Sequence, residues 1–496
     1  MPAPVRRHPM PLSVLVVASE CAPLVKVGGL ADVVGALPAA LRRVGVDARV
    51  LLPGYPAVLD AVPDDAPDAT VAAWAGLPGA RLRAATTAPG VPLYVVDCPS
   101  LYVREGTPYA DASGAAWPDD ARRFGLLAHV AAQFGRAGAP FGFACDVVHA
   151  NDWQAGLAPA YLALGEQRRA ATLFTIHNLA FPGIVDAAWL PALGLPASAF
   201  TMHGLEYHGR LAFMKAGLYY ADMLSTVSPT YAREITAAPL GMGFEGLLAG
   251  RSAELVGILN GIDVDVWNPA TDARIAATYD AATLERKAAN RAALSHRVGL
   301  VPRDDVPLFG LVGRFSGQKG IDLVLDVVDE VAALPAQLVV AGTGEREIEA
   351  RALEAARRHS GQVAAHVGFD ETVAHLIDAG ADAVLMPSRF EPCGLNQMYS
   401  QRYGTPPIVH ATGGLVDSVV DAGDGSVAGG TGFAFTPPTA AALLAAMRRA
   451  VRAWHDRNAW RRLQRNGMAH DFGWTASARR YEQAYERAIA RKASGV

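Results

Sequence analysis

Cysteine is scarce and unpatterned in this chain: four residues in 496, at positions 21, 98, 145 and 393. They form no paired metal spacing and no dense disulfide framework, which excludes a disulfide-stapled scaffold and points to a reducing compartment, the cytoplasm by default. An excess of either charge is also missing. With a formal net charge of -4 and a pI near 6.4, the chain has no general basic field, so nucleic acid is not expected as a partner and any anion binding has to be local. No run of roughly 18 apolar residues free of charge and proline occurs, so no membrane span is expected. The first ten residues are basic but lack the apolar core of roughly 7–15 residues that a signal peptide needs. Nor does any strand-like run precede a full GxGxxG fingerprint with its acidic partner. Gly342-Thr-Gly344 is only a fragment of one, which argues against a dinucleotide oxidoreductase.

What remains is ordinary for a large α/β protein: 51% hydrophobic and 19% charged residues, in a chain too long for one core. Ser13-Val-Leu-Val-Val-Ala18 is an apolar, β-rich run followed by a glycine loop and a helical pattern from Leu30 to Val44. Further apolar runs at 48–52, 93–96, 147–149, 173–176 and 224–227 alternate with helical stretches at 120–136 and 209–220. A second series runs through 308–312, 338–341, 364–367, 383–386 and 407–409, each member preceding a helix. Apolar runs of this kind read as strands buried on both faces, and the alternation predicts two doubly wound parallel sheets with ligands at the strand C-terminal ends. The turn-rich segment 260–272 and the helical stretch 284–298 separate the series. The expected division is 12–265, 266–470 and a C-terminal helix over 471–496.

One phrase occurs twice. Val27-Gly-Gly-Leu-Ala-Asp-Val-Val34 returns as Thr412-Gly-Gly-Leu-Val-Asp-Ser-Val419, each time between a strand and a helix. Glycine pairs there let a backbone approach a phosphate and lend it a helix N-terminus; close helix-to-sheet packing is the alternative reading. Gly28, Gly29, Thr412, Gly413 and Gly414 are therefore candidate ligand residues, in two half-sites facing one cleft. In Ser388-Arg-Phe-Glu-Pro-Cys-Gly-Leu-Asn-Gln397, an apolar run opens into a helix, with Glu391 just before it and the amides of Cys393 and Gly394 expected at its start. A carboxylate beside free amides supplies the acceptor and donors that a sugar's hydroxyls need, or it simply caps the helix.

Together with Lys26-Val-Gly-Gly29, Asp152-Trp153, Thr175-Ile-His-Asn178, Lys215-Ala-Gly-Leu-Tyr-Tyr-Ala-Asp222, Asn260-Gly-Ile-Asp263 and Gly313-Arg-Phe-Ser-Gly-Gln-Lys-Gly320, these segments resemble the bacterial glycogen synthases and plant starch synthases. The resemblance runs almost end to end. It implies the GT-B fold, two Rossmann-like domains facing a central cleft, with the last helix crossing back to the first domain. It implies retaining transfer of glucose from ADP-glucose to the non-reducing end of an α-1,4-glucan such as glycogen, with no cofactor. A UDP-glucose transferase of the same fold and a non-catalytic glucan or sugar-nucleotide sensor are the other readings. The oligomeric state is not legible.

In such a reaction the bond from sugar to phosphate lengthens and negative charge grows on the leaving diphosphate. Arg314 and Lys319 are expected to meet it as a fork and a point charge, with Lys26 approaching from the other domain. The resemblance places His177 against the transferred glucose, with Asn178 beside it, and adds Asn260 to the binding set. Glu391 is expected to orient donor hydroxyls rather than act as a nucleophile. Asp152 is a candidate acceptor-glucan ligand, and Trp153 is either a pyranose platform or a core residue. With these cations no metal is expected; His203, Glu206 and His208 lack metal-site geometry and read as a polar turn. Two departures stand out. The family often has histidines at the positions of Asn151 and Gln154, and the second glutamate of wider retaining families falls here on Tyr399.

Overall fold

The computed structural model describes residues 11–87, 89–426 and 428–495. The chain divides into two compact units: one runs to Gly261 and resumes at Trp474, and the other is Ile262–Gly473.

The first unit is built on a nine-stranded sheet. From edge to edge its strands are Leu255–Gly257, Met223–Thr226, Ala171–Ile176, Val147–Asn151, Ser13–Val17, Asp47–Pro53, Pro92–Asp97, Ala80–Thr86 and Asp68–Val71. The seven from Leu255–Gly257 to Pro92–Asp97 pair in parallel. The inner ones, such as Val147–Asn151, Ala171–Ile176 and Met223–Thr226, are buried along their whole length, as continuous apolar runs covered on both faces require. Ala80–Thr86 and Asp68–Val71 add an antiparallel edge that no continuous apolar run in the sequence foretells. The helical stretch expected over 209–220 is also corrected. Arg210–Ala212 is the middle strand of a small antiparallel sheet, and the helix begins at Phe213.

The last helix, Trp474–Ser494, belongs to this unit. Trp474, Ala478, Tyr481, Tyr485 and Ala488 recur at helical spacing and are buried in its core. The Tyr485 hydroxyl meets His149 Nδ1 at 2.9 Å, tying the helix to the strand Val147–Asn151.

The second unit holds six parallel strands in the order Val363–Val367, Gln337–Gly342, Leu308–Val312, Ala383–Met386, Pro407–His410 and Phe433–Phe435. Numbered along the unit this is 3-2-1-4-5-6, the doubly wound order whose ligand crevice opens where the winding reverses. That point lies between Leu308–Val312 and Ala383–Met386, paired at Phe309↔Ala383 and Gly310↔Val384. In the first unit the reversal lies between Ser13–Val17 and Val147–Asn151.

Candidate active site

In the second unit, Arg314 and Lys319 occupy the turn after Leu308–Val312, and Glu391 the loop after Ala383–Met386, on the two sides of the reversal point. Gly320 closes that turn at φ 67, and a Cβ there would meet the Pro387 carbonyl oxygen at 2.1 Å. Glycine is what lets the two loops touch. The Lys319 ammonium lies 2.6 Å from Glu391 Oε2, and Ser388 Oγ donates to the same oxygen at 2.9 Å. Glu391 is 5% exposed. Arg314 is exposed and bonds no described residue.

The helix beyond Glu391 starts later than expected. It spans Asn396–Arg402 with Leu395 at its N-cap. Pro392 fixes φ, and Gly394 turns left-handed at φ 71, so the chain cannot enter a helix at Cys393. The amides of Cys393 and Gly394 therefore precede the helix instead of forming its first turn.

The two copies of the glycine pair differ. Gly413 and Gly414 are buried after the N-cap Thr412, and added Cβ atoms would meet the carbonyl oxygens of Glu391 at 1.9 Å and Cys393 at 2.1 Å. Gly414 N–H donates to the Glu391 carbonyl at 3.1 Å. This pair seats the Glu391 backbone. Gly28 and Gly29 are exposed, and nothing lies within 4 Å of a Cβ on Gly28. The Gly28 amide is nevertheless taken: it and the Val27 amide donate to Glu20 Oε2 at 2.9 and 2.5 Å. Tyr109 donates to the other oxygen. Burial pushes the Glu20 carboxyl upward, opposed by the Tyr109 bond and the two amides. Glu20 thus serves as an internal hydrogen-bond acceptor at the start of the helix Gly29–Arg43, a role no local pattern in the sequence betrays. Lys26 is exposed and pairs with Asp32 at 2.7 Å.

Asp152 follows the strand Val147–Asn151 at φ 58, a conformation in which aspartate is enriched. Its Oδ1 accepts from the Trp153 amide at 2.9 Å. Burial pushes its carboxyl up to about 7, against backbone bonds from Trp153 and Asn178. Trp153 packs edge-on against Phe124 at 4.9 Å, favouring the core reading. His177 Nε2 lies 3.0 Å from Asn151 Oδ1, and burial holds its ring down to about 3. Asn178 Oδ1 closes a turn onto the Ala180 amide at 3.0 Å. Asn260 is 6% exposed, and its Oδ1 finds no partner among the described residues. Such an orphaned acceptor is ready for a donor.

Among the described residues no group of three or more His, Cys, Asp or Glu converges to hold a metal ion, and no helix is long and apolar enough to cross a membrane. Tyr399 is stacked on Trp267 with ring centroids 3.7 Å apart, which makes it part of the packing around helix Asn396–Arg402.

The family model described as starch synthase catalytic domain matches residues 13–250, and that for glycosyl transferases group 1 matches 295–467. The glycogen synthase of Dechloromonas aromatica is 52% identical over 485 residues, covering 97% of this chain and 99% of that one. That of Aromatoleum aromaticum is 53% identical over 479 residues, 96% of each. Among solved structures, the catalytic domain of starch synthase IV from Arabidopsis thaliana, bound to ADP and acarbose, superposes with a TM-score of 0.87. It is 33% identical and covers 97% of this chain and all, 100%, of that one.

Proposed function

The chain belongs to the glycogen synthase family of retaining GT-B glycosyltransferases, and we propose that it lengthens an α-1,4-glucan by transferring glucose from ADP-glucose to the non-reducing end. The observation that carries the residue roles is the Lys319 and Glu391 pair at the reversal point of the second sheet, with Arg314 in the same turn. In this proposal Lys319 and Arg314 take up the charge that grows on the diphosphate, and Glu391 accepts hydrogen bonds from the donor glucose. The bond from C1 to the phosphate oxygen breaks, and the new bond to the acceptor oxygen forms on the same face. The departing phosphate oxygen takes the acceptor's proton, so no protein base is required.

Around them, Thr412, Gly413 and Gly414 hold the Glu391 loop, with Cys393 and Gly394 offering backbone to the sugar. Lys26, Gly28, Gly29, Asp152, His177, Asn178 and Asn260 are the first unit's contribution to substrate binding. The orphaned acceptor of Asn260 and the open approach to Gly28 support their inclusion. The ADP and acarbose held by the Arabidopsis domain support an adenine nucleotide and a saccharide as ligands. Cytoplasmic residence is part of the same proposal, supported by four buried thiols.

Incubation of the purified protein with glycogen and either ADP-glucose or UDP-glucose tests the reading. Higher kcat/KM with ADP-glucose is expected. Preference for UDP-glucose would refute the donor, and transfer from neither would leave a sensor.

A further inference from the structure

The imidazole of His177 touches one described side chain by hydrogen bond, that of Asn151, and the geometry of that contact decides which ring nitrogen carries the proton. The Asn151 amide has its own partners. Nδ2 lies 3.2 Å from the Val17 carbonyl oxygen and 3.2 Å from that of His149. Both hydrogens of the NH2 group are thereby directed at backbone acceptors. Turning the amide over would set Oδ1 against two carbonyl oxygens in a site where Asn151 is 1% exposed, an arrangement no water can relieve. Oδ1 must therefore be the atom 3.0 Å from His177 Nε2, and since Oδ1 only accepts, Nε2 must donate. A neutral imidazole has a single N–H. With burial keeping the ring neutral, Nδ1 is left with a bare lone pair.

We infer that Asn151 is a positioning residue that locks His177 in its Nε2–H tautomer, so that Nδ1 is presented to the donor glucose solely as a hydrogen-bond acceptor. This rests on the proposed contact between His177 and the transferred sugar. The strand Val147–Asn151 supplies the lock. Val17 closes the central strand and His149 lies in the same strand as Asn151, so the amide is held by the two strands that flank the reversal point of the first sheet. His177 directly follows the neighbouring strand Ala171–Ile176. A ring that accepts at Nδ1 suits a hydroxyl, which can donate, and disfavours a phosphate or carbonyl oxygen, which cannot. The lock thus selects a sugar hydroxyl as the partner of His177 and excludes the diphosphate.

The wild-type protein reads the tautomer directly. In protein labelled with 15N at histidine, His177 is assigned by its absence from His177→Ala. Its Nε2 is expected at the protonated-nitrogen shift and its Nδ1 at the bare-nitrogen shift. A protonated Nδ1, or an averaged pair, would overturn the inference whatever the variants do. Asn151→Leu, close in volume but without the acceptor, is expected to average or reverse the two shifts. It should lower kcat with ADP-glucose about ten- to hundredfold, the usual effect of losing such an outer partner, with KM for glycogen unchanged. In a His177→Ala background the same substitution should lower kcat no further. An equal loss in both backgrounds would mean that Asn151 acts through general structure, and would overturn the positioning role. Full turnover by His177→Ala alone would instead refute the sugar contact, leaving the tautomer reading to the spectra.

Discussion

Lys319 Nζ stands 2.6 Å from Glu391 Oε2 where the second sheet reverses its winding. The carboxylate side chain is 7% exposed and the lysine 26%, so the pair is largely withdrawn from water and each partner offsets the other's desolvation. In the proposed reaction, a donor that offers hydroxyls to Glu391 and a diphosphate to Lys319 would replace each half with a better-matched partner. The pair thus holds the candidate site in place without a ligand, which would lower the ordering cost of binding.

Lys319→Met should leave Glu391 buried without its cation. Denaturant unfolding is expected to show a loss of about 1–2 kcal/mol, less than for a fully buried pair because Lys319 is part exposed. Adding Glu391→Gln to that variant should recover most of the loss. Both variants should turn over about a hundred- to a thousandfold slower. Wild-type stability in Lys319→Met would show that the pair does not matter to the fold.

Arg314 is exposed and bonds no described residue. Arg314→Ala should therefore leave the unfolding midpoint unchanged while kcat falls about a hundredfold or more, since its proposed contact with the diphosphate strengthens only as the leaving group gains charge. Turnover close to wild type would remove it from the site.

Asp152 carries a carboxyl raised to about 7 by burial, above its unfolded value. The stability it contributes is complete below about pH 4 and is lost as pH rises through 7, because the unfolded chain ionises it more easily. Asn tolerates the same left-handed backbone and stays neutral. Asp152→Asn should therefore gain stability over wild type as pH rises from 5 to 8, on the order of 2–4 kcal/mol at most. A pH-independent difference in melting temperature between the two proteins would contradict the shift.

Turnover should persist in EDTA, because in the proposed reaction Lys319 and Arg314 supply the cations that a diphosphate needs. Loss of activity in chelator, restored by one divalent ion, would require a metal in the site.

The parallel strands were legible because burial on both faces leaves continuous apolar runs such as Leu308–Val312 and Ala383–Met386, whose ends the structure reproduces. Asp68–Val71 and Ala80–Thr86 were not, since an edge hairpin half open to water is polar at alternate positions and carries no such run. Of the proposed site residues, Arg314 and Lys319 drew attention through the family resemblance of their glycine-containing turn, and Glu391 through the bend that follows an apolar run. Glu20 did not. Seven and eight residues separate it from the amides it holds, and only the fold of the loop brings them together. The repeated glycine pair shows the limit of local pattern: the same Gly-Gly-Leu is open at Gly28 and packed on backbone at Gly413 and Gly414, because burial is set by what lies opposite.

The most direct measurement is the product itself: glycogen incubated with ADP-glucose and the purified protein, its new linkages read by proton NMR and its ADP release counted. The expected result is one ADP for each glucose added, every new linkage α-1,4. ADP released without chain growth, or a β-linked product, would refute retaining glucan synthesis by this chain.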